Sequence, residues 1–285
     1  MTTFSMVRSV QAGVFFAGLL SVFACVNKPV VSGPLLALAE ESGSVCEVDE
    51  SVTTRSAAYS ANVELTASVA LPGRAAVDVV MSSRGAIAAV NTENSALLHW
   101  VNPATGEINQ TVELSSQVSD VAFDGASRLA IATEDRLIFV DIATGEETDR
   151  IRLAGVNRVA ITPDGHVAAI AGNIVHLFAP DGREVFTKQR DYTGVTDVEV
   201  RSCGEQQLVY VTSFRNATFT AINNRRNPVQ IGRLEAMDFS GDVQWSLFGD
   251  RAERIKQNVA DTRLYRVTLG RDGYLYIAGE SAGTA

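Results

Sequence analysis

The chain has 285 residues, 46% of them hydrophobic and 20% charged, which is enough apolar side chain for a sizeable core and too little polarity for general disorder. Its 24 Lys and Arg against 33 Asp and Glu leave a net charge of −9 and a pI near 4.9. That balance excludes a general nucleic-acid binder, which needs a basic face to displace counterions, and three Cys with three His exclude a zinc-finger array or a cysteine-dense scaffold.

At the N-terminus, Arg8 precedes an apolar run from Val10 to Val26 that Asn27, Lys28 and Pro29 end. A basic residue followed by such a run reads as an export signal, the alternative being a misassigned start. Three forms of export stay open. The signal is cleaved after Ala37-Leu38-Ala39, or lipidated at Cys25 within Val22-Phe23-Ala24-Cys25, or kept as an anchor somewhat shorter than the roughly 20 residues that span a bilayer. Residues 1–39 are thus expected to be a signal peptide or membrane anchor, and 40–74 an N-terminal extension. The expected location is periplasmic, cell-surface or otherwise secreted, with membrane contact only through the N-terminal segment. In an oxidising compartment Cys46 and Cys203 form a candidate disulfide; the other reading is two unrelated thiols.

From residue 60 onward apolar and polar residues alternate between Gly turns, the period of β-strands, and no long helical stripe is present. An apolar-x-apolar run followed by a Gly turn recurs at Val79-Val80-Met81, Val121-Ala122-Phe123, Val159-Ala160-Ile161, Val198-Glu199-Val200 and Val267-Thr268-Leu269. The leading valines are spaced by 42, 38, 39 and 69 residues. A second turn runs in phase, at Ala104-Thr105-Gly106-Glu107, Ala143-Thr144-Gly145-Glu146, Pro180-Asp181-Gly182-Arg183 and Ser240-Gly241-Asp242. Four strands in about 40 residues is the arithmetic of a β-propeller blade. The expected fold is all-β: residues 75–285 form four-stranded antiparallel blades, four nearly complete and a partial fifth, with boundaries near 119, 157, 196 and 263. A strand at Asn62–Leu71 is a candidate to close the ring by completing the fifth blade; the rival is that the chain is a piece of a larger propeller.

The stretch Asn102-Pro103-Ala104-Thr105-Gly106-Glu107 resembles the WD40-like, YVTN and PQQ-type propeller repeats of exported bacterial proteins. Gly241-Asp242-Val243-Gln244-Trp245-Ser246-Leu247-Phe248-Gly249, with Asp272-Gly273-Tyr274-Leu275-Tyr276-Ile277-Ala278-Gly279, is similar to the SBBP propeller repeat. The WD dipeptide itself is missing. The resemblance implies the propeller fold and an exported setting; it implies no single activity, because these families share none.

The long fourth unit carries about 30 extra residues relative to the ~40-residue repeat. They fall at Phe214–Arg233, between its second and third strands, and at Gly249–Thr262, in the crossing to the fifth unit; repeat alignment places both as loops on one face. The first holds Arg215, Arg225, Arg226 and Arg233 with no acidic residue; the second holds Arg251, Arg254 and Lys256 balanced by Asp250, Glu253 and Asp261. These seven basic residues are the candidate binding set for a protein, a glycan or an anionic small ligand, the competing reading being a solvated loop whose arginines pair with acidic neighbours.

Other motifs are weaker. Gly279-Glu280-Ser281-Ala282-Gly283 matches the G-x-S-x-G nucleophile elbow, yet His99, His166 and His176 all precede it and a propeller hairpin turn explains the glycines. The histidines read as structural, and Asp124, Asp164 and Asp272 as turn residues, so neither a metal nor a cofactor is expected. Asn109-Gln110-Thr111 and Asn216-Ala217-Thr218 are glycosylation sequons, of consequence only in a eukaryote, and Trp100 and Trp245 read as packing residues. The leading functional reading is an exported, non-catalytic propeller scaffold. The runner-up is the N-terminal part of a propeller enzyme or quinoprotein-like domain whose catalytic residues lie beyond residue 285.

Overall fold

The computed structural model describes residues 2–8, 64–204, 206–220, 226–247, 261–270 and 274–282, and among these there is no helix. Strands β1 (Thr2–Arg8) and β2 (Glu64–Leu71) form a two-stranded antiparallel sheet. Four four-stranded sheets follow in chain order. The first holds β3 (Ala75–Ser82), β4 (Gly85–Asn91), β5 (Ala96–Val101) and β6 (Ile108–Leu114); the second β7 (Val118–Phe123), β8 (Arg128–Thr133), β9 (Arg136–Asp141) and β10 (Glu147–Arg152). The third holds β11 (Val156–Ile161), β12 (Val167–Ala171), β13 (Ile174–Phe178) and β14 (Glu184–Gln189). The fourth is β15 (Gly194–Cys203), β16 (Gln206–Thr220), β17 (Arg226–Asp238) and β18 (Val243–Leu247), after which β19 (Asp261–Leu269) and β20 (Leu275–Ala282) make a pair. Successive antiparallel meanders of this kind are the blades of a β-propeller, four complete and a fifth of two strands. The expected blade boundaries fall within two residues of the first residues of β7, β11, β15 and β19. The apolar run Val10–Val26, the cleavage candidates, Cys25 and Cys46 lie outside the described residues. The Asn62–Leu71 segment contains β2, and its strand partner among the described residues is β1 and not the fifth blade.

Burial explains the strand pattern. Second and third strands are covered on both faces, so they read as near-continuous apolar runs such as Ala86-Ile87-Ala88-Ala89-Val90 and Leu129-Ala130-Ile131-Ala132. Fourth strands face solvent, and β10 is exposed at five of its six residues. The hairpins between third and fourth strands are set by Asx turns. Asp141 Oδ1 accepts from the backbone N–H groups of Ala143 and Thr144 at 2.8 and 2.9 Å, and Asn102 does the same for Ala104 and Thr105. Gly145 then adopts φ +75°, and a Cβ there would also meet Gln110 and Val112 at 2.6 Å, so only glycine fits.

The chain divides into two compact units, with the boundary between Ala171 and Gly172. In the first, Ile87, Leu98 and Trp100 of one blade pack with Val121, Leu129, Ile131 and Ile138 of the next. The opposite face of the first blade, through Ala88, Val90 and Val101, is covered by Val69 and Leu71 of β2. In the second, Tyr210, Leu234 and Ala236 pack against Leu264 and Val267.

The innermost strands share one further device. Each has a register shift just before an equivalent position, occupied by Asp78, Asp120, Arg158, Asp197 and Arg266. Asp120, 3% exposed, accepts a hydrogen bond from the Val159 N–H of the following blade at 3.0 Å. Asp197, 4% exposed, does the same for Val267 N–H at 2.8 Å, and Arg266 Nη1 sits 3.5 Å from its other oxygen. A carboxylate of one blade thus supplies the acceptor that the next blade's inner strand edge lacks. Replacing Asp120 by Ala leaves the Val159 N–H unsatisfied in a buried seam and is expected to cost about 1–3 kcal/mol, read as a lower urea midpoint with unchanged slope; Asp120→Asn keeps an acceptor and should cost less.

Candidate functional site

The Phe214–Arg233 insertion, expected as a loop, is strand. β16 and β17 stay in register from Leu208↔Asp238 to Thr220↔Arg226, whereas β15 ends opposite Phe214 and β18 pairs only as far as Leu234↔Leu247. Arg215–Thr220 and Arg226–Ile231 therefore form a two-stranded arm that runs past both flanking strands. The local chemistry explains it: Phe214-Arg215-Asn216-Ala217-Thr218-Phe219-Thr220 is rich in aromatic and β-branched residues. Gly194, where β15 starts, lets the Phe214 ring lie where a Cβ would come within 2.7 Å of it. Asn216 N–H is then capped by Thr193 Oγ1 at 3.0 Å.

The arm is anchored by a buried ionic cluster. Glu235 is fully buried between Arg190 and Arg233, bonded to Arg190 Nη2 and 2.9 Å from Arg233 Nη2. Both guanidinium groups also lie over the Tyr192 ring, 5.8 and 5.1 Å from its centroid. Two cations on one carboxylate leave a net positive base to the arm. Of the candidate basic residues, Arg233 is engaged here and holds the arm rather than offering a free guanidinium. Arg215 is half-buried on β16, and Arg226 is the first residue of β17. Arg225, Arg251, Arg254 and Lys256 lie outside the described residues, as does most of Gly249–Thr262.

On the other face of the same blade, a second carboxylate joins Asp197. Glu199 Oε2 accepts from Leu269 N–H at 3.2 Å and Thr268 Oγ1 at 3.3 Å, while Oε1 accepts from Val200 N–H at 3.0 Å. Burial, with a contribution from the neighbouring Asp197 charge, pushes the Glu199 carboxyl up to about 7. The Tyr210 hydroxyl, close to Glu199 and Arg201, is likewise raised by burial.

Cys203, the last residue of β15, is disulfide-bonded. His99 and His176 occupy matching third-strand positions and bond across to the fourth strand, His99 Nδ1 to Thr111 Oγ1 at 2.9 Å and His176 Nδ1 to Thr187 Oγ1 at 3.1 Å. Burial lowers the His99 imidazole below its ordinary value, so it is neutral at pH 7. Among the described residues no group of three or more His, Cys, Asp or Glu is placed to hold a metal ion. Asp124 Oδ1 accepts three backbone N–H groups, from Ala126, Ser127 and Arg128. The expectation of a hairpin turn at Gly279–Gly283 is corrected: Gly279 to Ala282 lie within β20, paired with β19, because the strand runs on in register to Asp261↔Ala282. An extended strand does not provide the sharp turn of a nucleophile elbow. Trp100 is core, whereas Trp245 is 37% exposed on the outermost strand, tilted against Tyr210.

No family model matches the chain, and no curated protein matches it by sequence. Solved structures do resemble it. A chain of hydrazine synthase from Kuenenia stuttgartiensis superposes with a TM-score of 0.51 at 17% identity, over 71% of this chain and 54% of that one, so this chain spans about half its length. BamB from Moraxella catarrhalis gives 0.45 at 17% identity, covering 71% and 58%, and the Pan2 WD40 domain of Neurospora crassa gives 0.47 at 9%, covering 72% and 74%. At 17% identity the hydrazine synthase likeness is one of fold alone, and the successive antiparallel meanders described above are those of a β-propeller.

Because Glu199 titrates higher when folded than the ordinary 4.5, the folded chain keeps a proton that the unfolded chain releases. Stability is therefore lost as pH rises from about 4.5 to 7, by up to about 3 kcal/mol. Glu199→Gln is expected to flatten that dependence and raise the melting temperature at pH 8, leaving pH 4 nearly unchanged. Glu235→Ala, which leaves two partly buried guanidinium groups without their shared carboxylate, is expected to destabilise by about 3 kcal/mol in a denaturant titration.

Proposed function

We propose that this propeller is an exported, non-catalytic scaffold that binds an acidic protein partner through the β16–β17 arm. The observation that carries the reading is the arm itself. Phe214–Arg233 holds four arginines and no acidic residue, on a chain of net charge −9, in a ribbon that leaves its own blade. Such a segment steers and holds negative charge that the rest of the surface repels. Arg215, Arg225 and Arg226 are the contacts on the arm, with Arg251, Arg254 and Lys256 of the following crossing as the second part of the surface. Arg233 acts from behind, through Glu235 and Tyr192.

Export is supported by the apolar run after Arg8 and by the disulfide at Cys203, since such bonds persist in oxidising compartments. Cys46 is the partner we assign, residues 1–39 being the signal or anchor. Non-reducing peptide mapping of protein from an oxidising compartment should recover a Cys46–Cys203 linked pair. A Cys25–Cys203 pair would replace that assignment.

The binding test uses the full chain and a short alternating Glu–Thr peptide followed by fluorescence anisotropy. Arg225→Ala with Arg226→Ala should weaken binding several-fold and flatten its salt dependence, since each exposed charge contact contributes roughly 0.2–1 kcal/mol. Arg152→Ala, on the exposed outer strand β10, should change nothing. Equal binding by wild type and the arm variant would rule the reading out.

A further inference from the structure

The reading above says where an acidic partner binds; the backbone of the arm also says how, and the present inference rests on that reading. In an antiparallel ribbon, the N–H and C=O of one residue point to the same side, and successive residues alternate. The bond from Asn216 N–H to Thr193 Oγ1 fixes the phase of β16, because it shows that residue 216 directs its backbone away from β17. The groups of Thr218 and Thr220 therefore point the same way, and among the described residues no strand pairs with that side of β16 beyond Phe214. Three consecutive outward residues make a short strand edge, and among the described residues a cap is seen at the first alone.

The opposite edge of the arm is not equivalent. Thr218 stands directly across from Pro228, so Pro228 also turns its backbone outward, on the β17 side. Its missing N–H costs the arm no internal hydrogen bond and interrupts the β17 edge at its middle, a common way to blunt an exposed strand. One edge is interrupted by proline, and the other is left able to pair. The charge of the segment, four arginines and no acid, selects what pairs with it: a second copy of this arm is repelled, and an acidic chain is attracted.

We propose that an extended acidic peptide segment of a partner protein adds as a further β-strand along the Asn216–Thr220 edge of β16. Main-chain hydrogen bonds to Thr218 and Thr220 supply the pairing, and acidic side chains at alternate positions meet the arm's arginines.

The test compares the alternating Glu–Thr peptide with the same sequence N-methylated throughout, which keeps its charge and donates no backbone hydrogen bond. Strand addition predicts that the methylated peptide binds the full chain about tenfold more weakly or worse. Thr218→Pro removes an edge donor that the arm's own ladder does not use, and should weaken the unmodified peptide to a similar extent. Gln230→Pro, on the already interrupted β17 edge, should leave it unchanged. Circular dichroism reports whether each variant folds; if Thr218→Pro does not, the two peptides decide the matter on the wild-type chain. Equal binding of both peptides would leave the electrostatic reading standing and overturn strand addition. Binding of neither would overturn both.

Discussion

The innermost strand of a blade has a backbone edge that no strand of its own sheet can satisfy, and a buried, unpaired N–H costs as much as a lost hydrogen bond. At two of its seams this chain meets the need with a carboxylate. Asp120 reaches Val159 N–H, and Asp197 reaches Val267 N–H, each from the inner strand of the preceding blade. Burying a carboxylate is itself costly, and it is tolerable here because the acceptor takes a backbone donor and, at Asp197, a guanidinium from Arg266. The bulge before each of these positions re-aims the side chain across the seam. Apolar packing between blades provides most of the attraction, but it is non-directional; the carboxylates fix which residue of one blade meets which residue of the next.

The fourth blade departs from the others because it carries polar clusters on both of its faces. On one, Glu199 extends the Asp197 contact down β19 to Thr268 and Leu269, and the second negative charge so close to the first contributes to its raised titration. On the other, Glu235 gathers Arg190, Arg233 and Tyr192 at the foot of the arm. An arm of two strands projecting alone would be marginal, since isolated hairpins seldom hold their shape in water. Clamping its base through a buried ionic cluster and the Phe214–Gly194 contact gives it a fixed origin. The blade is thus built to carry an extension, which connects its unusual interior to a binding role.

Much of this was legible in the sequence. The recurring valines at 79, 121, 159, 198 and 267 and the in-phase Gly turns gave the blades and their limits, because turn chemistry and strand period are local properties. The residue before each valine carried equal information: Asp78, Asp120, Arg158, Asp197 and Arg266 are charged residues at otherwise apolar inner strands, and that contrast was the available signal for the seams. The arm reads as a loop in sequence because its arginines and asparagines outweigh the strand period of Phe214–Thr220. The Glu235 cluster has no local signature, since Arg190 lies 45 residues away and only the folded β15–β16–β17 meander carries Glu235 back toward it. Gly279-Glu280-Ser281-Ala282-Gly283 shows the opposite error, a short motif read as a turn where the ladder continues.

At two seams a carboxylate closes the inner edge of the following blade, and amide hydrogen exchange at single-residue resolution tests this most directly. Val159 and Val267 have no strand partner for their N–H groups, yet each is bonded to a buried carboxylate. Both amides are expected to exchange as slowly as those of interior strands such as β8, and Asp120→Ala and Asp197→Ala are each expected to release the one amide that the carboxylate holds. Exchange of either amide at the rate of an exposed strand edge at neutral pH would contradict it.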